Sequence, residues 1–113
     1  AKKTGLYETT LDVKKAVKDA DIVYTDTWVD MEFFLDPKFK EEKEKRIKLM
    51  MPYQINKKLL AGNDALIMHD MPIHRGYEIS EDMIDTPKSI IYQQAENRLH
   101  TAKAILLVLL TKR

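Results

Sequence analysis

Our prediction of the fold starts from DADIVYTDTW, residues 19–28. It contains a run of residues with high β propensity, Ile22 to Thr25, and polar residues follow at once. A short helical pattern capped by Asp12 precedes it, and a second apolar run, ALIMHD at residues 65–70, comes after a charged helical segment. Helical patterns that alternate with short β-rich runs are typical of α/β proteins with a parallel sheet.

Further elements are predicted around these two strands. A charged helix begins at residues 36–37, and a short helix is predicted over residues 52–60. A short helix capped by Ser80 and a third strand at residues 89–92 follow. The final helix ends in two turns that are apolar on all sides, so we expect this end to be buried against another domain or subunit. Its apolar stripe consists of Ala95, Leu99, Ala102, Leu106 and Leu109.

Composition excludes several classes of protein. The 113 residues suffice for one domain, and a net charge of +1 leaves no basic surplus to attract nucleic acid or an anionic membrane. The absence of Cys excludes disulfides and thiolate chemistry. The longest apolar run, residues 104–110, is far shorter than the ~20 residues that span a bilayer. We therefore expect no nucleic-acid partner and no membrane span, and the start at Ala1 instead of Met indicates a piece of a longer protein.

Acids and imidazoles follow both predicted main strands. Ligands of parallel α/β sheets bind outside the carboxyl ends of the strands, so we expect these side chains to form one candidate site. Each also has a structural alternative, because an acid after a strand often caps a turn and a histidine often binds a backbone carbonyl. The residues are Asp26, Asp30, His69, Asp70, His74 and Arg75.

Charged residues near the start of the final helix predict an anion as the ligand, not a metal. The spacing of His69, Asp70 and His74 matches no standard metal-site template. Glu96 and Arg98 lie early in the final helix, where a guanidinium beside a helix amino terminus would hold an anion. Phosphate or carboxylate is the expected ligand.

Four ordered segments of the chain are distinctive: DADIVYTDTW (residues 19–28), YQIN (53–56), MHDMPIHRG (68–76) and QAENRL (94–99). In this order and spacing they resemble the aspartate/ornithine carbamoyltransferase family, and its ornithine branch in particular. The resemblance implies an incomplete three-layer, Rossmann-like parallel sheet, with residues 1–113 as the carboxyl-terminal ornithine- or aspartate-binding domain and without the amino-terminal carbamoyl phosphate domain. It implies transfer of the carbamoyl group of carbamoyl phosphate to the amine of ornithine, which gives citrulline, without a metal or organic cofactor.

The same resemblance assigns roles to individual residues. His69 matches the histidine that contacts the carbamoyl group, and Arg98 matches the arginine that helps to hold carbamoyl phosphate. Asp26 matches the acid that binds the amino group of the substrate, and Met31 lies in the same substrate loop. The step Met71–Pro72 matches a peptide bond that is cis in the family, and it is expected to be cis here.

Three positions in two segments depart from the family pattern. Asp30 and Glu32 stand where the ornithine enzymes have Ser and Gly, and Asp70 stands where they have Cys. Because added carboxylates favour a more cationic amine, a diamine or a lysine-like compound is an alternative to ornithine as the substrate.

Parts of the family have no counterpart in this chain, namely the carbamoyl phosphate loop and the first strand of the amine-binding domain. We therefore expect the chain alone to be inactive. The resemblance implies that its parent is a cytoplasmic enzyme of arginine biosynthesis. An open edge on the strand at residues 22–25 also predicts a homo-oligomer formed by strand or helix exchange. The alternative function, from a different class, is a non-catalytic, self-associating α/β module derived from this domain.

Overall fold

The computed structural model describes residues 4–111, which form helices around a small parallel sheet. The predicted α/β class is confirmed. Two 3₁₀ turns, Pro37–Phe39 and Met51–Tyr53, flank the third helix. The helices and strands are, in chain order, α1 (Val13–Val17), β1 (Ile22–Thr25), α2 (Met31–Leu35), α3 (Lys40–Met50), β2 (Leu66–His69), α4 (Glu81–Ile84) and α5 (Ile91–Thr111).

The two strands pair in parallel, as predicted. Ile22 lies opposite Leu66 at the start of the ladder, and Thr25 lies opposite His69 at its end. Within the described residues, β2 is the strand partner of β1, so the other edge of β1 is open in this part of the sheet. An open edge of this kind is a site for pairing with another chain.

The predicted third strand at residues 89–92 is reduced to a short extended segment beside β2. The backbone N–H of Ile67 donates to the carbonyl of Lys88 at 2.8 Å, and the N–H of Ile90 donates to the carbonyl of Ile67 at 2.9 Å. The prediction of a full strand is wrong because α5 already begins at Ile91. The segment nevertheless extends the sheet on the second edge of β2.

The prediction of a helix over residues 52–60 is also wrong. This segment begins with the 3₁₀ turn Met51–Tyr53, is extended around Ile55 and then forms turns over residues 57–62. The N–H of Ile55 donates to the carbonyl of Glu78 at 3.0 Å, and the carbonyl of Ile55 accepts from Ser80 at 2.9 Å. Pairing with a distant segment therefore replaces helical hydrogen bonds around Ile55. One local bond of helical spacing remains, from the N–H of Leu60 to the carbonyl of Asn56 at 3.0 Å.

One buried cluster connects α1, β2, α4 and the start of α5. Asn63 joins two of these parts, because its side-chain amide donates to the carbonyl of Val17 and its oxygen accepts from Ala65 at 2.7 Å. The neighbouring Gly62 has φ +83°, a left-handed conformation that glycine adopts without strain. The cluster consists of Val17, Ile55, Leu60, Ile67, Ile79, Met83, Ile84 and Ile91.

The far end of α5 extends away from this cluster. The radius of gyration is 17.2 Å, whereas a compact chain of this length has about 13 Å. None of the described helices has both the length and the apolar character required to cross a bilayer. Within residues 4–111, seven apolar side chains of α5 are 50–76% exposed, so burial of the helix end by another domain or subunit stays a prediction. They are Leu99, Ile105, Leu106, Leu107, Val108, Leu109 and Leu110.

Candidate active site

The carboxyl ends of β1 and β2 lie side by side, because Thr25 is opposite His69 in a parallel register. Asp26 and Asp70 are the next residues along the two strands, so they lie at the same edge of the sheet. This edge is where parallel α/β proteins bind ligands. The predicted gathering of polar residues at the strand ends is confirmed for these residues.

The loop after β1 combines a fixed backbone with an exposed acid. Asp26 Oδ1 accepts a hydrogen bond from the N–H of Thr27 at 2.6 Å. Thr27 Oγ1 donates to the carbonyl of Pro72 at 2.9 Å, and the N–H of Trp28 donates to Glu78 Oε1 at 3.1 Å. The Asp26 side chain remains exposed, so it is accessible to an ammonium group of a ligand.

His69 is a fully buried imidazole whose two ring nitrogens differ in their surroundings. Its Nδ1 accepts a hydrogen bond from the N–H of Met71 at 2.9 Å, which places the proton of the neutral ring on Nε2. Among the described residues, Nε2 has no hydrogen-bond partner. A buried, oriented N–H donor of this kind is suited to a carbonyl or phosphate oxygen of a ligand.

Burial lowers the pKa of His69, and three carboxylates nearby oppose this effect without cancelling it. They belong to Asp70, Glu78 and Asp26, in order of decreasing effect. The neutral ring is therefore favoured in the folded protein, and Nε2 retains its role as a donor near neutral pH.

We expect the free energy of unfolding to fall as the pH is lowered below about 6.5, the ordinary pKa of histidine. In that range the unfolded chain binds a proton that folded His69 resists, and the loss is at most about 1.4 kcal/mol per pH unit until the folded pKa is reached. Urea unfolding followed by the fluorescence of Trp28 at several pH values measures this slope. In the variant His69→Gln, the free energy of unfolding is expected to depend less steeply on pH. An equal slope would contradict the lowered pKa of His69 as the cause.

Arg98 reaches the end of β2 from α5. Its Nη1 donates to the carbonyl of Asp70 at 3.1 Å, and Asp70 Oδ1 lies 3.3 Å from His69 Nδ1. The peptide bond Met71–Pro72 is cis, as the resemblance implied. Because α5 begins at Ile91, Arg98 lies about two turns inside the helix, and the predicted help from the helix amino terminus is wrong. An anion here would be held by the guanidinium group itself.

Asp30 and Met31 lie at the start of α2, on the same loop as Asp26. The carbonyl of Asp30 accepts from the N–H groups of Phe33 and Phe34, both at 3.0 Å. Its carboxylate makes no capping hydrogen bond. Asp30 is exposed and Met31 is 44% exposed, so both side chains are accessible to a ligand.

Two other predicted candidates serve the structure of the loops. The ring of His74 stacks on Phe34 with centroids 3.8 Å apart, and its backbone N–H donates to Glu78 Oε2 at 3.0 Å. Arg75 forms an ion pair with Asp85 at 3.1 Å, which engages its guanidinium outside the candidate site. The prediction that Arg75 lines the site is therefore wrong.

Two polar residues at the site were not identified as such from the sequence. Gln94 Oε1 accepts from the backbone N–H of His69, and its Nε2 donates to Tyr24 Oη, both at 3.1 Å. Glu78 is 1% exposed and accepts from two loops. Gln94 begins one of the segments that carry the resemblance. The sequence around Glu78 does not indicate its role, because its partner Trp28 lies 50 positions away along the chain. Within residues 4–111, no group of three or more His, Asp or Glu is arranged to hold a metal ion.

Comparison with known proteins finds relatives along most of the chain. A family model described as the Asp/Orn binding domain of aspartate/ornithine carbamoyltransferase matches residues 1–109. An ornithine carbamoyltransferase of Methanopyrus kandleri is 48% identical over 101 residues, which are 88% of this chain and 30% of that protein.

Solved structures give the same result. Ornithine carbamoyltransferase from Pyrococcus furiosus has a TM-score of 0.68 and 44% identity, over 84% of this chain and 29% of that one. A mutant N-acetyl-L-ornithine transcarbamylase complexed with carbamyl phosphate and N-succinyl-L-norvaline has a TM-score of 0.69 and 30% identity, over 88% of this chain and 29% of that one. The chain thus spans about a third of the length of the relatives that it matches.

Proposed function

Because the chain belongs to the aspartate/ornithine carbamoyltransferase family, we propose that it supplies the amine-binding side of an enzyme that transfers the carbamoyl group of carbamoyl phosphate to ornithine. Residues 1–113 would be the carboxyl-terminal part of the amine-binding domain. The observation that carries the proposal is the arrangement of His69, Asp26 and Arg98 at one edge of the sheet, with a buried and unpartnered Nε2 on His69.

The chemistry of the transfer suits this arrangement. The neutral amine nitrogen attacks the carbonyl carbon of carbamoyl phosphate, and the bond from that carbon to the phosphate oxygen breaks with its electron pair staying on the phosphate. The nitrogen loses a proton, which the departing phosphate takes up. We infer that His69 donates from Nε2 to the carbonyl oxygen as negative charge develops there. Arg98 would bind the phosphate, and Asp26 would bind the α-amino group of the substrate. No metal or organic cofactor is required by this scheme.

Four further residues would set the choice of amine. Met31 and Met71 would line the substrate, and Asp30 and Asp70 would add negative charge where the ornithine enzymes have Ser and Cys. Extra carboxylates favour a substrate with more positive charge, so a diamine or a lysine-like amine stands beside ornithine. A far better rate with ornithine than with putrescine or lysine would contradict this charge hypothesis.

A chimera tests the function directly. It is the Pyrococcus furiosus ornithine carbamoyltransferase in which this chain replaces the matching third of the enzyme, and we expect it to form citrulline. In the chimera, Asp26→Asn is expected to raise the KM for ornithine about tenfold to 100-fold, because a hydrogen bond to a charged group is worth about 1.5–3 kcal/mol. The exposed Asp19→Asn is the matched control, with an unchanged KM. A folded chimera without citrulline formation would contradict the proposed function.

The chain by itself is proposed to be inactive and self-associating. It spans about a third of its relatives, so the groups that complete the carbamoyl phosphate site would have to come from another part of the enzyme. Robust citrulline formation by the purified chain would contradict this. We place the parent enzyme in the cytoplasm and in arginine biosynthesis, with a homo-oligomeric assembly.

The alternative of a non-catalytic module derived from this domain receives no support from the comparisons. Binding of ornithine, or of a bisubstrate analogue, separates the two functions. The amine-binding function predicts such binding, whereas the module predicts none.

A further inference from the structure

Glu78 is a buried carboxylate without a role in the proposed chemistry. It is 1% exposed, and its ion-pair partner among the described residues is His74, with no Lys or Arg. Burial of a carboxylate is costly unless hydrogen bonds compensate for the lost water. The hydrogen bonds that compensate for the burial of Glu78 therefore indicate its role.

The two oxygens of Glu78 bind two different loops. Oε1 accepts from the backbone N–H of Trp28 at 3.1 Å, and Oε2 accepts from the backbone N–H of His74 at 3.0 Å. Trp28 lies between Asp26 and Asp30 in the loop after β1. His74 lies in the loop after β2, which begins beside the candidate site. One side chain thus fixes the distance between the two loops that carry the proposed substrate contacts.

His74 extends this connection to α2. Its Nδ1 lies 3.3 Å from Glu78 Oε1, and its ring stacks on Phe34 with 20° between the ring planes. Phe34 belongs to α2, which begins at Met31. Glu78 therefore holds the start of the loop directly and holds its helical end through His74.

The backbone that carries Glu78 is itself fixed. Its carbonyl accepts from the N–H of Ile55 at 3.0 Å, and the adjacent Ile79 forms a parallel bridge with Ile55. Ile55 is 2% exposed and Ile79 is 0% exposed. A carboxylate on a buried backbone that is itself paired can position other groups, because the bond to Ile55 holds that backbone in place.

We propose that Glu78 is a positioning residue that holds the substrate loop, residues 26–35, in the conformation that receives the amine. This role rests on the proposed function. A carboxylate is required because two N–H donors, from Trp28 and His74, need two acceptor oxygens. A Gln side chain has the same shape but one acceptor oxygen, so its NH₂ group would face one of the two N–H donors.

Hydrogen exchange of the full 113-residue chain tests the connection. In Glu78→Gln, the amide protons of Trp28 and His74 are expected to exchange about tenfold faster or more, while that of Ile67 in β2 changes by less than about twofold. The matched control is Glu81→Gln, an exposed Glu in α4, which is expected to leave all three rates unchanged. Unchanged exchange at Trp28 in folded Glu78→Gln would overturn the proposal.

The chimera tests the consequence for substrate. Glu78→Gln is expected to raise the KM for the amine about tenfold or more and to leave the KM for carbamoyl phosphate within about twofold. A merely structural role would reduce the amount of folded enzyme and leave both KM values unchanged, and that result would overturn the proposal.

Two further results separate failure of this proposal from misfolding of the variant and from failure of the proposed function. If Glu78→Gln does not fold, Glu78→Asp retains both oxygens at a shorter reach, and a smaller rise in the same KM is expected; an unchanged KM would overturn the proposal. An unsubstituted chimera without activity would overturn the proposed function and the substrate role of Glu78 with it. Exchange at Trp28 would then still show whether Glu78 orders the loop.

Discussion

Replacement of His69 by alanine is expected to lower the kcat of the chimera by about 100-fold to 1,000-fold, the usual cost of removing one oriented donor to a developing negative charge. Three features of the residue lead to this value. The ring is 0% exposed, its Nδ1 is engaged by the N–H of Met71, and its Nε2 has no partner within residues 4–111. Because burial lowers the pKa of His69, the ring is neutral and needs no rearrangement before it donates.

Two companion variants identify the property of His69 that matters. His69→Gln retains a side-chain N–H donor and is expected to recover part of the lost rate. His100→Ala removes an exposed imidazole of α5 and is expected to leave the rate unchanged. Steady-state citrulline formation measures kcat, and circular dichroism verifies that each variant is folded. A folded His69→Ala chimera with a kcat within about threefold of the original would contradict the role of His69.

The position of the site could be predicted from sequence because it depends on local features of two strands. Residues 19–28 and 65–70 have strand patterns that end in polar residues, and the parallel register of β1 and β2 brings Asp26 and Asp70 to one edge. Side-chain alternation and the position of an acid are local properties of the chain. These local patterns therefore predict which edge of the sheet carries the site, even where the rest of the fold is unknown.

Contacts between distant segments could not be predicted in the same way. Ile55 follows a helical pattern in sequence, but its backbone pairs across to Ile79. Arg75 has the charge expected of a site residue, yet Asp85 engages it elsewhere. Glu78 is an ordinary acid in sequence and becomes central only when the loop with Trp28 is folded against it. Such pairings are tertiary properties, and tertiary contacts routinely override local propensity.

The isolated chain is expected to associate at micromolar concentration through the far end of α5. Leu106 and Leu109 lie on the stripe predicted from the sequence and are 57% and 68% exposed. Exposed apolar surface of this kind is normally covered by a domain or a subunit. The double variant Leu106→Lys/Leu109→Lys is expected to be monomeric, because burial of each leucine contributes about 1.5–3 kcal/mol and burial of an unpaired lysine is unfavourable. Light scattering measures the mass, against 13.2 kDa for one chain.

One control variant and one alternative result separate the contribution of α5 from that of charge and of the β1 edge. His100→Lys/Thr101→Lys adds two lysines to exposed polar positions of α5 and is expected to remain associated. If the leucine variant also remained associated, the open edge of β1, where Ile22 and Tyr24 are 52% and 53% exposed, would be the contact that holds the copies together. Exchange of strands would then replace contact of helices as the mode of assembly, since an unpaired edge can pair with another chain. A mass of one chain for the unsubstituted protein at micromolar concentration would contradict self-association by either route.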